Sequence, residues 1–90
     1  MSAGPRARLD LFLHTLADGT VCFDPRNEAT HLLNGTASFI LACCDGEHDL
    51  EEILAELRGA LGAGLPADRA RADVIATLDD LRDRGLLEAW

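Results

Sequence analysis

The stretch Ala29–Asp49 constrains the fold more than any other part of the chain. It begins with residues that favour extended structure, breaks at Asn34-Gly35, continues as an almost wholly apolar run and breaks again at Asp45-Gly46. Asn, Asp and Gly at such breaks are typical of turns and helix caps. The pattern predicts a strand that leads directly into a buried helix.

Before this junction the sequence predicts antiparallel sheet. From Leu9 onwards leucines alternate with Asp10, Phe12 and His14, as in a half-buried strand. Residues 17–19 supply a turn, residues 20–24 are rich in strand-forming types, and residues 29–33 return as a third strand. We therefore expect a meander of three short strands.

After the junction the sequence predicts three helices. Asn34 is a suitable N-cap for a helix over residues 35–44, and this helix is apolar on more than one side, which is typical of a buried helix. Asp49 and Glu52 have the spacing of a capping box. The second helix is expected to carry its apolar stripe on Leu50, Ile53, Leu54, Leu57 and Leu61, and to end at Gly62 and Gly64.

The third helix is expected to begin at Pro66-Ala67-Asp68 and to end at Gly85. Its core stripe is Ala70, Val74, Leu78 and Leu81. We expect Leu86, Leu87 and Trp90 to fold back and close the core.

Length and charge limit the function. Ninety residues make one domain, which we place at residues 9–90, with residues 1–8 as a flexible tail. The net charge is -8 and all eight basic residues are arginine, which argues against a nucleic-acid partner because such binding needs cations to neutralise phosphates. No apolar run is long enough for a signal peptide or a membrane span, so we expect a cytoplasmic protein without membrane contact.

No chemical site is expected. Cys22, Cys43 and Cys44 lack the spacing of a metal or redox pair, and buried reduced thiols are the simpler interpretation. His48 lies near Cys43 and Cys44, but those cysteines project about 100° apart on a helix. We predict no catalytic residues, no metal and no cofactor, and no stand-alone enzymatic activity.

The ordered series of elements and short motifs resembles the PqqD-like family over about residues 9–88. The residues that carry the resemblance are Leu33-Asn34, Thr36-Ala37, Asp45-Gly46, Leu50–Leu54, Asp73-Val74 and Gly85–Leu87. The family comprises small peptide chaperones, or recognition elements, of ribosomally made and modified peptides. The resemblance implies a winged-helix-like α+β fold, a three-stranded antiparallel sheet followed by three helices.

It also implies a function and a site. Family members bind the leader of a precursor peptide and present it to a modifying enzyme, often a radical S-adenosylmethionine enzyme. The leader is added as a strand beside the third strand, in a groove against the last helix, which is β-augmentation. Carried over to this sequence, the peptide-binding residues are Ala29, Thr30, His31, Leu32 and Leu33 on the strand, with Arg71, Ile75, Leu78 and Arg82 on the helix.

Two alternatives stay open. A winged-helix transcription regulator has a similar outline, although the last helix carries five aspartates against four arginines and would offer DNA no net positive face. A structural module that forms a homodimer through its sheet edge would also fit an open strand. For Arg71 and Arg82 the alternative to peptide binding is an ordinary surface ion pair with neighbours such as Asp79, worth under about 1 kcal/mol.

Overall fold

The computed structural model describes residues 4–61 and 66–90. In chain order the elements are β1 (Arg6–Ala7), β2 (Phe12–Leu16), β3 (Gly19–Asp24), β4 (Ala29–Asn34), α1 (Gly35–Ala42), α2 (Leu50–Leu61), α3 (Ala67–Asp83) and β5 (Leu87–Ala89). Strands β2, β3 and β4 form an antiparallel sheet in that order, and β1 pairs with β5 in a second, two-stranded sheet. The predicted α+β architecture, a three-stranded antiparallel sheet followed by three helices, is confirmed.

The register divides the three-stranded sheet into two faces. Cys22 lies opposite Leu13 on β2 and His31 on β4, and Cys22 is buried in the core. Phe23 lies opposite Phe12 and Thr30. Because successive side chains point to opposite faces, the row that contains Phe23 belongs to the outer face, away from the helices.

The helices begin where the sequence predicts. The Asn34 side chain accepts a hydrogen bond from the Ala37 backbone N–H at 2.8 Å. Asp49 and Glu52 each accept a hydrogen bond from the other's backbone N–H, at 2.8 and 3.1 Å, which is a capping box. The predicted core stripe of α3 is buried, and it packs with Ile40, Leu41, Ile53 and Leu57. The end of α2 predicted at Gly62 and Gly64, and the side chain of Leu61, lie outside the described residues.

The first strand of the three-stranded sheet, β2, differs from the prediction. It begins at Phe12 rather than Leu9, and all five of its residues are exposed. Leu9 lies in a turn, and Leu13, on the helix side of the sheet, is 56% exposed. The reason is position: α1 packs against β3 and β4, so that β2 lies at the far edge of the sheet.

The predicted flexible tail over residues 1–8 is wrong for residues 5–8. Pro5 is buried, Arg6–Ala7 pairs with β5, and the Arg8 side chain forms a two-point ion pair with Asp24 at 2.8 Å. Asp24 is fully buried. A buried carboxylate needs a charged partner, and Arg8 supplies it from the segment that the sequence predicts to be a tail. Residues 1–3 lie outside the described residues.

The C-terminal residues fold back as predicted, except for Trp90. Leu86 is fully buried and Leu87 packs against the core. Trp90 stays 43% exposed, and its indole N–H donates a hydrogen bond to Asp79 Oδ1 at 3.0 Å. Within residues 4–61 and 66–90, no helix is both long enough and apolar enough to cross a membrane.

Candidate functional site

The predicted docking strand corresponds to β4, which is an edge of the sheet. Among the described strands it pairs with β3 alone. An edge strand offers unpaired backbone N–H and C=O groups to another extended chain. The described part of the chain therefore leaves one long side of β4 open.

Side chains along β4 alternate between the two faces. Ala29, His31 and Leu33 lie on the helix side, where Leu33 is buried, while Thr30 and Leu32 lie on the outer face and are exposed. Leu32 is 71% exposed. The strand thus combines a partly apolar inner face with a leucine that no described residue covers.

His31 has one unsatisfied nitrogen. Its Nε2 atom is buried and has no hydrogen-bond partner among the described residues. The ring lies opposite Cys22 on the helix side of the sheet. Leaving a buried polar group without a hydrogen-bond partner costs about 1–3 kcal/mol of stability. The histidine at this position of β4 is therefore not explained by hydrogen bonding within the described fold.

The predicted residues of α3 have different environments. Arg71 forms an ion pair with Glu51 of α2, and Arg82 lies 3.5 Å from Asp79 and 3.3 Å from Asp83. Ile75 is half-buried, whereas Leu78 is fully buried in the core. Leu78 is therefore not available for contact with a peptide in this structure, although sequence reasoning grouped it with the others.

Within the described part of the chain, no hydrogen bond or ion pair joins the α3 residues to β4. The side chains of Arg71 and Arg82 are about half exposed, and exposed pairs of this kind exchange readily with solvent or ligands because they are weak. The candidate site consequently consists of two separate parts, an open strand edge and a helix flank with carboxylate-paired arginines.

Sequence reasoning missed an open hollow at the end of the sheet where the turn between β2 and β3 lies beside the last residues of β4. It has a volume of about 350 Å³ and is lined by Leu16, Asp18, Gly19, Leu32, Leu33 and Asn34. Gly19 is required there: an added Cβ would lie 2.1 Å from the Leu33 carbonyl oxygen. The glycine after a turn is visible in the sequence, but only the strand register places it between Leu16 and Asn34.

The outer face of the sheet is largely apolar. The rings of Phe12 and Phe23 lie in contact across β2 and β3, with centroids 6.3 Å apart. Leu16 and Leu32 extend the apolar surface towards the hollow. An antiparallel sheet with a solvated face usually presents polar residues there, so this face departs from the usual pattern.

The cysteines are suited to packing rather than chemistry. Cys22 and Cys44 are buried, and burial raises the pKa of the Cys44 thiol to about 12. A thiol with so high a pKa is a poor nucleophile and a poor metal ligand. Among the described residues no group of His, Cys, Asp or Glu side chains is placed to hold a metal ion.

Solved structures share this fold. The structure described as "TbiB1 in Complex with the TbiA(beta) Leader Peptide" matches with a TM-score of 0.81 at 16% identity, covering 94% of this chain and 96% of that chain. A second, described as "Lasso peptide synthetase B1 complexed with the leader peptide", matches with a TM-score of 0.77 at 22% identity, covering 94% and 98%. At these identities the likeness establishes the fold alone. No curated protein matches the chain.

The family model described as coenzyme PQQ synthesis protein D matches residues 19–87. This range runs from the start of β3 to the first residue of β5 and includes β4 and all three helices. It covers well over half of the chain and confirms the resemblance that the short motifs indicate. The chain belongs to the PqqD family.

Proposed function

We propose that this protein is a leader-peptide-binding adaptor. It binds the leader of a ribosomally made precursor peptide as an added strand beside β4 and presents the precursor to a separate modifying enzyme, such as a radical S-adenosylmethionine enzyme. Catalysis belongs to that enzyme, and the adaptor contributes no cofactor or metal.

The open side of β4 is the observation that carries the proposal. Its backbone groups can continue the sheet with a peptide of almost any sequence, which gives affinity, while alternate side chains give specificity. Thr30 and Leu32 would read one side of the peptide, and His31 the other. Membership of the PqqD family supports this function, as do the leader peptides bound to the two structurally similar proteins.

The flank of α3 supplies the second part of the proposed site. Arg71 and Arg82 would exchange their present carboxylate partners for carboxylates of the leader, and Ile75 would add apolar contact. Since each exposed pair is worth under about 1 kcal/mol, these contacts adjust specificity rather than dominate affinity. An affinity in the micromolar range, about -8 kcal/mol, is expected for an interface of one peptide strand.

A DNA-binding role has less support. Three arginines on or directly after α3 are paired with acids: Arg71 with Glu51, Arg82 with Asp79 and Asp83, and Arg84 with Asp80 at 3.1 Å. DNA would have to displace these acids from the helix that a winged-helix regulator uses for recognition.

The direct test is a titration followed by amide NMR. The ligand is the leader of whichever short precursor peptide a search of the genes beside this one identifies. We expect the largest shifts at Ala29–Leu33, with smaller shifts near Ile75 and Arg82. A scrambled leader of the same composition serves as the control.

Absence of shifts in Ala29–Leu33 at millimolar leader would contradict the proposal. If the protein elutes as a dimer without leader, and dilution to monomer produces shifts in β4, the edge serves self-association instead. Size-exclusion chromatography at several concentrations distinguishes the two uses of the edge.

A further inference from the structure

The hollow beside the turn between β2 and β3 adjoins the open edge of β4. Three of its six lining residues, Leu32, Leu33 and Asn34, are the last residues of that strand. Leu16, Gly19 and Asn34 lie in one register row across β2, β3 and β4. The hollow therefore opens on the outer face, beside any strand added to β4.

Gly19 is one of the residues that line the hollow. It lies between Leu16 on β2 and Asn34 on β4 in its register row, and its lack of a side chain lets the main chain of β4 approach closely, since an added Cβ would lie 2.1 Å from the Leu33 carbonyl oxygen. Leu16 and Leu32 are both substantially exposed. The two leucines form apolar walls that no described residue covers.

One acidic residue lies at the rim. Asp18, in the turn between β2 and β3, lines the hollow and is exposed. Among the described residues it has no ion pair, unlike Asp79, Asp80 and Asp83. In a chain with net charge -8, a partner that brings a cation to this rim has an electrostatic advantage.

A strand beside β4 would place alternate side chains next to this hollow. Neighbouring strands lie about 4.8 Å apart, and facing side chains of paired strands have Cβ atoms about 5 Å apart. Gly19, on β3, is then two strand spacings, about 10 Å, from the main chain of an added peptide. An added side chain therefore does not reach Gly19 itself. Leu32 and Asn34, which line the near side of the hollow, lie one strand spacing, about 4.8 Å, from the added peptide and are within reach of a large side chain such as Phe, Leu or Met.

We propose that this hollow is a specificity subsite: it receives a large apolar side chain of the docked leader, and Asp18 pairs with a basic residue beside it. The volume of about 350 Å³ is at the low end for small-molecule pockets and suits one side chain. The inference rests on the proposed function and narrows its substrate class to leaders with an apolar residue and a Lys or Arg nearby. It concerns the outer face of the sheet, whereas the α3 contacts concern the side that faces the helices.

The test uses peptides selected from a random 15-residue display library against the wild-type protein. Peptides that shift the amides of Ala29–Leu33 are retained and aligned. We expect a large apolar position and a basic position at fixed spacing. Binding is then measured to Leu16→Ala and Asp18→Asn, with Leu9→Ala and Glu56→Gln as matched controls, since Leu9 and Glu56 are exposed and do not line the hollow.

Leu16→Ala should weaken binding about five- to tenfold, as expected for losing part of the burial of one apolar side chain. Asp18→Asn should weaken it about two- to fivefold at low salt and by less at high salt. The control variants should bind like wild type. Circular dichroism establishes that each variant is folded.

Peptides that shift β4 but bind all four variants equally would overturn this inference and leave the proposed function intact. A library that yields no peptide acting on β4 would overturn the proposed function and this inference together. Loss of the apolar preference in Leu16→Ala, without loss in Leu9→Ala, is the result that supports the subsite.

Discussion

Leu78 and Ile75 lie three positions apart on α3 and differ in exposure. Leu78 is fully buried and packs in the core, whereas Ile75 is half-buried. A fully buried side chain acts on a ligand only through the fold that it supports. The two residues consequently give separate readouts of stability and binding.

Leu78→Ala should lower the free energy of unfolding by about 2–5 kcal/mol, because it removes buried methyl groups and leaves a cavity. Ile75→Ala should cost less stability and weaken leader binding. Urea denaturation and leader titration measure the two effects. A Leu78→Ala protein of wild-type stability that no longer binds leader would contradict the assignment of Leu78 to the core.

His48 and Asp45 give a pH-dependent contact in the turn before α2. Asp45 accepts a hydrogen bond from His48 Nδ1 at 2.9 Å, which raises the pKa of His48 and lowers the pKa of Asp45 to about 2. Because the folded pKa of His48 is raised, its contribution is complete below its ordinary value of 6.5 and is lost as pH rises through the raised value. The contribution of Asp45 is lost as pH falls from 3.8 towards 2.

We therefore expect His48→Gln to destabilise the protein most between about pH 4 and pH 6.5, with a smaller effect above the raised pKa. Thermal unfolding from pH 4 to pH 9 measures the difference. In the Asp45→Asn background the same substitution should have little effect. An equal loss at every pH would show that the contact does not depend on charge.

At the scale of elements, β4 and α1 follow each other without a loop. The strand ends at Asn34, whose side chain caps the helix that begins at Gly35. Movement of the edge strand is thus limited by a helix whose Ile40 and Leu41 are buried in the core. This arrangement suits a preformed edge that binds a peptide with little rearrangement, which reduces the entropic cost of binding.

Leaders with a single N-methyl group at successive positions should reveal the added strand. Only alternate backbone N–H groups of an edge-bound peptide face β4, so we expect affinity to fall at every second position. Competition binding measures this, and alanine substitutions at the same positions report the side chains separately. Uniform effects along the leader would contradict strand addition.

The sequence determines most of the elements but not which faces are covered. The caps at Asn34 and Asp49 are local signals, and the apolar stripe of α3 is periodic, so these features are predictable. Alternation along residues 9–16 indicates a strand but not an exposed one, because exposure depends on where α1 packs. The hollow at Gly19 depends on register among three strands, and the ion pair of Arg8 with Asp24 spans sixteen positions.

At the scale of the whole molecule, Arg8 joins three distant parts of the chain. It contacts Asp10, the buried carboxylate of Asp24 and the Gly85 carbonyl oxygen at 3.0 Å. Asp24 also accepts hydrogen bonds from Arg26 and Asn27 in the turn before β4. The side-chain hydrogen bond from Arg8 holds the pKa of Asp24 well below its ordinary value.

Asp24→Asn should lower the melting temperature at pH 7 by more than Asp10→Asn, because Asp10 is partly exposed and Asp24 is not. The folded pKa of Asp24 is depressed, so its contribution is present above about pH 4 and is lost as pH falls further. The difference between wild type and Asp24→Asn should therefore narrow in acid. Melting curves from pH 2 to pH 7 test this, and a constant difference would contradict it.

The pairing of β1 with β5 places Arg6 opposite Ala89. Paired antiparallel residues have Cα atoms about 5 Å apart, so the first and last strands of this fold lie side by side. A domain whose two ends lie so close together can be inserted into a surface loop of a larger protein with little distortion of that protein. The β4 edge would remain free in such a fusion, and the larger protein would gain a binding site for extended peptides.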